Sequence, residues 1–336
     1  MEREEAVVAE KLAFRLPDLA LQRFRFTLRL LEDAAVPVFK GALLRGGFGY
    51  AFQRASCPQA CWKRSDECAV STVCPYRWVF ETPRPPGIEQ LHDLQDVPRP
   101  FVIKPPLDGQ TYYAAGSILE FQIVLIGRGT DYVPYFLYSF EQFGQLGLGK
   151  NNARFRLEQV EALQPWQPVG TPIYNAGRVV SGIHTALPEY TAAAIQARAA
   201  ALPADLRLTL RTPLRVKARG ALIEQIDLPA IVQSLCWRLH TLSLFHGPGT
   251  WEVDHRALVA QAREVRIEQP AVQWKEWTRT SGRGGRGEKM EFGGLLGNAL
   301  LRNVSTELRA LLLAGSLVHI GKTCVFGNGW VEVGSL

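Results

Sequence analysis

Residues 207–219 read RLTLRTPLRVKAR. With Leu206 before them they place Leu206, Leu208, Leu210, Leu214 and Val216 at even positions and Arg207, Arg211, Arg215, Lys217 and Arg219 at odd ones. Side chains alternate across a strand, so the pattern predicts a strand over Leu206–Ala218 with one apolar face and one face of five cations. Outward from it, Pro229–Phe245 reads as a helix, Val265–Trp277 and Glu291–Leu296 as strands, and Val304–Leu313 as a second helix. Leu317–Ile320 reads as the closing strand, and Trp330–Val333 as a last extended piece beyond a glycine-rich loop.

The first half repeats this order. FRFTLRL at 24–30 alternates, and Val38–Gln53 then sets Phe39, Leu43, Leu44, Phe48 and Phe52 near helical spacing. Gly41, Gly46, Gly47 and Gly49 weaken that helix by ~1 kcal/mol each, and their missing side chains admit another backbone. Tyr76–Glu81 and Phe101–Lys104 read as short extended pieces, Ile118–Ile126 as a strand, Tyr132–Leu146 as a helix and Phe155–Val160 as a strand. Strand, helix, strand, strand, helix, strand is the order of the ferredoxin-like split βαβ unit, the frame also used by RNA-recognition modules. The expected fold is therefore α+β, two tandem ferredoxin-like (RRM-like) domains with a carboxyl-terminal glycine-rich loop. Residues 1–168 and 205–336 form the domains, and 169–204, rich in Gly, Pro and Ala with an Ala-rich helix at Tyr190–Ala201, forms the linker.

Length and composition agree. At ~150 residues per domain, 336 residues make about two. Hydrophobic residues at 47% and charged residues at 21% exclude general disorder. Lys and Arg outnumber Asp and Glu by 38 to 32, a net +6 that favours an anionic partner. MEREEAVVAEKLAF lacks a basic end followed by an apolar run, so no secretory signal is expected. Ala230–Phe245, broken by Gln233, Arg238 and His240, falls short of the ~20 residues that cross a bilayer. The expectation is a soluble cytoplasmic protein without membrane partners, its thiols reduced.

Four patterns bear on chemistry. The five cations of residues 207–219 match a phosphate backbone, or else protect an edge strand from pairing with another sheet. No acid but Asp205 accompanies them, and a row of one sign repels itself, which favours the first reading. SGRGGRGEK at 281–289 sets Arg283, Arg286 and Lys289 on a glycine chain beside Arg279, Trp274 and Trp277. Such a loop fits irregular RNA, with aromatics to stack on bases, or is a solvated hairpin turn. Cys57, Cys61, Cys68 and Cys74 form Cys-x3-Cys-x6-Cys-x5-Cys. Four thiolates there would hold a structural zinc or an iron-sulfur cluster, leaving no open position for a catalytic metal; a disulfide or unliganded thiols are the other readings. Finally, GSLVHIGKTCVFGNG at 315–329 separates Gly315 from Gly321 by five residues where a P-loop has four, and leads from strand to strand, so it is no nucleotide loop.

The second half carries FHG at 245–247, W-x-R at 277–279, FGGLLG at 292–297 and LVHIGKTCVFGNGW at 317–330. The first carries LLRGGFGYAF, the cysteine cluster ending CPYRWVFET, RPFVIKPP and DYVPYFLYSFEQFGQLGLGK. In these stretches the chain resembles the CRISPR-associated RAMP-superfamily endoribonucleases that process precursor CRISPR RNA, in a cysteine-bearing branch. The resemblance implies cleavage without a catalytic metal, in which a ribose 2′-hydroxyl attacks the adjacent phosphorus. It also implies CRISPR repeat RNA or crRNA as partner, and other subunits of a CRISPR effector complex. Such chemistry needs a base, an acid and a cation. Many members place a catalytic histidine shortly after the first helix, whereas this chain has cysteines there and its first His is His92. By resemblance, Tyr50 matches an active-site tyrosine of some members, and His319 and Lys322 fit the HIGK pattern. The plainer readings are a packed aromatic at Tyr50, a loop-holding His319 and a helix-capping His246. A non-catalytic crRNA-binding RAMP subunit is the competing function.

Overall fold

The computed structural model describes residues 14–57, 68, 70–84, 97–180, 187–280 and 289–336. The first unit runs through β1 (Leu21–Leu30), β2 (Ala34–Ala35), α1 (Gly41–Ser56), α2 (Pro75–Phe80), β3 (Phe101–Lys104), β4 (Tyr112–Tyr113), β5 (Ile118–Ile126), α3 (Val133–Leu146), β6 (Phe155–Leu163), β7 (Gly170–Asn175) and β8 (Arg178–Val179). Its main sheet has the order β3-β5-β1-β6-β7-β8. All its pairs are antiparallel, with Phe26 opposite Phe121 on one side and Val160 on the other. The alternation in β1 does what the sequence predicts: Phe24, Phe26, Leu28 and Leu30 are buried under α1 and α3. There Phe48 stacks on Phe140 with ring centroids 4.7 Å apart, and Gly47 leaves room for the Phe143 ring.

After α4 (Ala192–Ala200), the second unit comprises β9 (Leu206–Leu214), β10 (Lys217–Ala218), β11 (Ala221–Leu222), α5 (Leu228–His246), α6 (His255–Arg263), β12 (Arg266–Lys275), β13 (Thr278–Thr280), β14 (Lys289–Glu291), β15 (Gly294–Arg302), α7 (Thr306–Val318) and β16 (Val331–Ser335). Its sheet order, β12-β15-β9-β16, matches β3-β5-β1-β6 strand for strand, so both units are ferredoxin-like. Side-chain oxygens start the helices: Asp227 accepts from the Ala230 amide, Asp254 from Ala257 and Ser305 from Leu308.

Several readings need correction. The piece expected to be extended at Tyr76–Glu81 is helix α2, because Pro75 suits a first turn and Tyr76, Val79 and Phe80 fall three and four apart on its buried side. Leu317–Ile320 is no strand: α7 runs on to Val318, and the closing strand is β16. An apolar run cannot be told from a buried helix by periodicity, and α7 is apolar nearly all round because it lies between its own sheet and the first unit. Gly170–Val179, read as linker, adds β7 and β8 to the first sheet. Helix α6 stands where the sequence pattern marks no element.

The two units share a core. Val102 and Val124 face away from α1 and α3, and with Leu21 and Ile126 they join the cluster built by α5 and α7. His246, at the end of α5, reaches the Pro98 carbonyl at 2.6 Å.

Candidate nucleic-acid interface

Strand β9 lies between β15 and β16, so it is interior and the protected-edge reading does not hold. Leu206, Leu208, Leu210 and Leu214 are buried, while Arg207 and Arg211 stand exposed on the other face. The regular strand ends at Leu214. Arg215 is half-buried, its backbone bridged to Gly321 and its guanidinium donating to the Gly293 carbonyl. Lys217 and Arg219 are exposed in the β10–β11 hairpin, Arg219 at φ 50°. The single row of five is thus two cations on the strand, one clamped and two on a hairpin.

The row is also not free of acid. β16 sets Glu332 opposite Thr209, between Arg207 and Arg211, with its carboxylate 3.6 Å from Arg211. Asn298 of β15, opposite Thr209 on the other side, accepts from Arg207 at 3.3 Å. Local pattern did not reveal Glu332 as a member of this face, because the strands that meet there are more than a hundred residues apart. The signal available was the alternation of Val331, Glu332 and Val333.

The glycine-rich loop hangs on β9. Gly329 donates to the Pro213 carbonyl at 3.0 Å and Lys322 to that of Arg215 at 2.9 Å. The Thr212 hydroxyl donates to the Gly327 carbonyl at 2.7 Å and accepts from the Trp330 amide at 2.9 Å. His319 ends α7 at φ 61°, is fully buried, and has Nδ1 3.0 Å from the Asn328 carbonyl. Burial, with Lys104 and Arg238 nearby, holds its imidazole well below the usual range and therefore neutral. His319 thus sits as a loop anchor sealed from the surface, whereas the Lys322 side chain is exposed.

The far side of the loop bears on the first unit. A Cβ at Gly41 would overlap the Phe326 carbonyl, so glycine there permits the start of α1 to meet the loop backbone. Arg45 lies over the Phe80 and Phe326 rings, at 5.1 and 5.2 Å. Tyr50 is nine residues beyond Gly41, two and a half helical turns, and therefore on the opposite side of α1. Its hydroxyl accepts from Arg54 at 3.2 Å. The structure brings His319 and Lys322 onto one loop and leaves Tyr50 apart.

Lys104, buried on β3, lies 5.0 Å from the centroid of the Trp330 ring, and Arg211 lies 5.8 Å from the same ring. Burial first, then Arg23, pushes the Lys104 ammonium from 10.5 down to about 7, against the pull of Glu332.

Trp277 packs edge-on against Phe39 with ring centroids 4.2 Å apart. The Trp274 indole donates to Glu276 at 2.5 Å. Arg279 pairs with Met290 in the β13–β14 ladder and Lys289 with Thr280, while Arg283 and Arg286 lie outside the described residues. Cys57 follows α1, buried Cys74 caps α2, and Cys61 lies outside the described residues. Among the described residues no three His, Cys, Asp or Glu side chains group to hold a metal. Nor, among them, is any helix long and apolar enough to cross a membrane.

Residues 17–187 match the family model AF_1859_N, an N-terminal domain, and residues 208–331 match the CRISPR-associated endoribonuclease Cas6. Among solved structures, the chain is similar to a partial Cas6-RT-Cas1–Cas2 complex (TM-score 0.59, 15% identity, 95% of this chain and 46% of that one). A second Cas6-RT-Cas1–Cas2 chain is covered over only 29% of its length, so this chain spans less than half of these larger proteins. It is also similar to a Cas6 product complex (TM-score 0.52, 15% identity, 94% of this chain and 99% of that one) and to Thermus thermophilus Cas6 (0.50, 16%, 94% and 98%). At these identities the likeness shows the fold. No curated protein matches the chain in sequence.

Proposed function

We propose that this chain, whose residues 17–187 match the AF_1859_N domain and whose residues 208–331 match the CRISPR-associated endoribonuclease Cas6, cuts precursor CRISPR RNA within or beside the repeats. The observation that carries this reading is the exposed basic face of β9 and the β10–β11 hairpin, set beside a glycine loop at the joint of two ferredoxin-like units. Arg207, Arg211, Lys217 and Arg219, with Lys322 on the loop, would neutralise phosphates and release their counterions. The proposed step is attack of a 2′-hydroxyl on its own phosphodiester without a catalytic metal, where Lys322 or an arginine steadies the charge growing on phosphorus. The proposed partners are repeat RNA, the crRNA product and other CRISPR subunits, in the cytoplasm.

The second reading, a crRNA-binding subunit that does not cut, is favoured by the sealing of His319 and the remoteness of Tyr50. Incubation of the purified protein with labelled cognate repeat RNA in EDTA separates the two. Discrete products with 2′,3′-cyclic phosphate ends support the nuclease; tight binding with intact RNA supports the subunit; cleavage only with added divalent metal rejects the proposed chemistry. A structural zinc or iron-sulfur cluster on Cys57, Cys61, Cys68 and Cys74 remains a proposal from their spacing. Elemental analysis should find about one zinc per chain, or iron in anaerobic preparations, and neither metal in a Cys61→Ser, Cys74→Ser variant.

A further inference from the structure

We infer that Glu332 is the base that takes the 2′-hydroxyl proton, an assignment that rests on the nuclease reading above. Glu332 is a carboxylate at the centre of a face otherwise suited to a polyanion. It lies opposite Thr209, with Arg207 and Arg211 two residues to either side on β9, ~13 Å apart along the strand. An acid there opposes RNA binding, so binding alone gives no reason for it. Its side chain is 51% exposed and that of Arg211 42%, so both reach a bound strand. A backbone held by Arg207 and Arg211 lays the intervening ribose against Glu332.

The other candidates face elsewhere. His319 and His246 are buried, and Tyr50 is on the far side of α1. His240 and His255 pair with each other, ring centroids 6.0 Å apart, on the helices that cover the opposite face of this sheet. Among the described histidines, none shares the arginine face. Charged groups facing Glu332 include Arg207 and Arg211 on β9 and Lys104 on β3, with Arg23 on β1 acting on Lys104.

The arrangement discriminates between ground and transition state. A Glu332 oxygen takes the proton as the 2′-oxygen bonds to phosphorus, the bond from phosphorus to the 5′-oxygen breaks, and that oxygen takes a proton from water. The products are a 2′,3′-cyclic phosphate and a 5′-hydroxyl. Before the step, Arg211 is shared between Glu332 and the phosphate. Once Glu332 is protonated, the guanidinium's remaining anionic partner is the phosphorane, whose charge has grown. Attraction released from the carboxylate is thereby directed to the transition state.

Single-turnover cleavage of pre-bound repeat RNA in EDTA, across a pH series, tests this for the wild type, Glu332→Gln and Glu332→His. Glu332→Gln should slow cleavage by ~100-fold or more while binding RNA no more weakly. Glu332→His should recover part of the rate, with a limb rising near the ordinary imidazole value of ~6.5. A Glu332→Gln rate within about threefold of wild type, a fall in affinity that accounts for the lower rate, or no imidazole limb in the histidine variant overturns the assignment. Wild-type protein that binds repeat RNA and leaves it intact overturns the nuclease reading instead.

Discussion

Replacing Lys104 by Met probes the joint between the units directly. Lys104 is 6% exposed, and the ammonium that ordinarily holds its proton to 10.5 holds it here only to about 7. In the unfolded chain the ordinary value returns. Between pH 7 and 10.5 the unfolded state therefore binds more protons than the folded one, so stability rises with pH across that window. The rise is about tenfold in the folding equilibrium per pH unit, or roughly 3 kcal/mol from pH 7 to 9. Below pH 7 both states are protonated and the whole cost of burying the cation, roughly 5 kcal/mol, is present. Lys104→Met removes the titration and keeps an unbranched apolar stem against Trp330. Urea unfolding at pH 7, 8 and 9 should show the wild type gaining stability with pH while the variant gains little of it, and the variant should be the more stable at pH 7. Groups that titrate elsewhere cancel in the difference between the two proteins. Parallel stability curves would refute the reasoning.

Reversing Arg207 and Lys217 to Glu should weaken repeat binding and flatten the slope of log affinity against log salt by at least ~0.7–0.9 for each phosphate left without its cation. An unchanged slope in fluorescence anisotropy rejects this face as the RNA track. Gly41→Val forces a side chain onto the Phe326 carbonyl, so its melting temperature should fall and amide exchange over 319–330 should quicken. Gly334→Ala, with open space around it, should behave as wild type. Phe48→Ala should cost about 3–5 kcal/mol by denaturant titration, because that ring touches Phe52, Phe80, Phe101, Phe136 and Phe140 at once. A loss below about 1 kcal/mol would mean the aromatic cluster closes over the gap.

What local alternation encodes was legible. β1 and β9 each have one face on a core, so their side chains repeat every two residues, and the tandem order of the units followed from them. The glycines of α1 pointed correctly to close approach, realised where Gly41 meets Phe326. Burial on more than one side erases such signals. Helix α7, apolar toward its own sheet and toward the first unit, hid its end at Val318 and produced a false strand at Leu317–Ile320. The run PYRWVF holds a six-residue helix whose bulky residues look like strand formers. At the candidate site, the cations were visible as a sequence pattern, but the acid among them was not. Glu332 joins Arg211 only through the pairing of β16 with β9, and long-range pairing leaves no local mark. For the same reason, sequence could not show that His319 is sealed or that Tyr50 and the loop lie on opposite sides of α1.

The glycine loop is bonded to the peptide groups of β9, the strand that bears Arg207 and Arg211, while its outer side rests on Gly41 and on Pro105. A load applied to those arginines therefore passes along one strand into the loop and from the loop into the first unit, with no slack segment between. Prising the units apart would strip the loop from Pro213 and Arg215 or lift it from α1, so compliance at this joint is low. When a stiff protein meets a pliant polymer, the polymer takes up the misfit. On the proposed reading, an RNA strand laid across Arg207 and Arg211 would be the partner that adjusts its shape, since the joint beneath it does not.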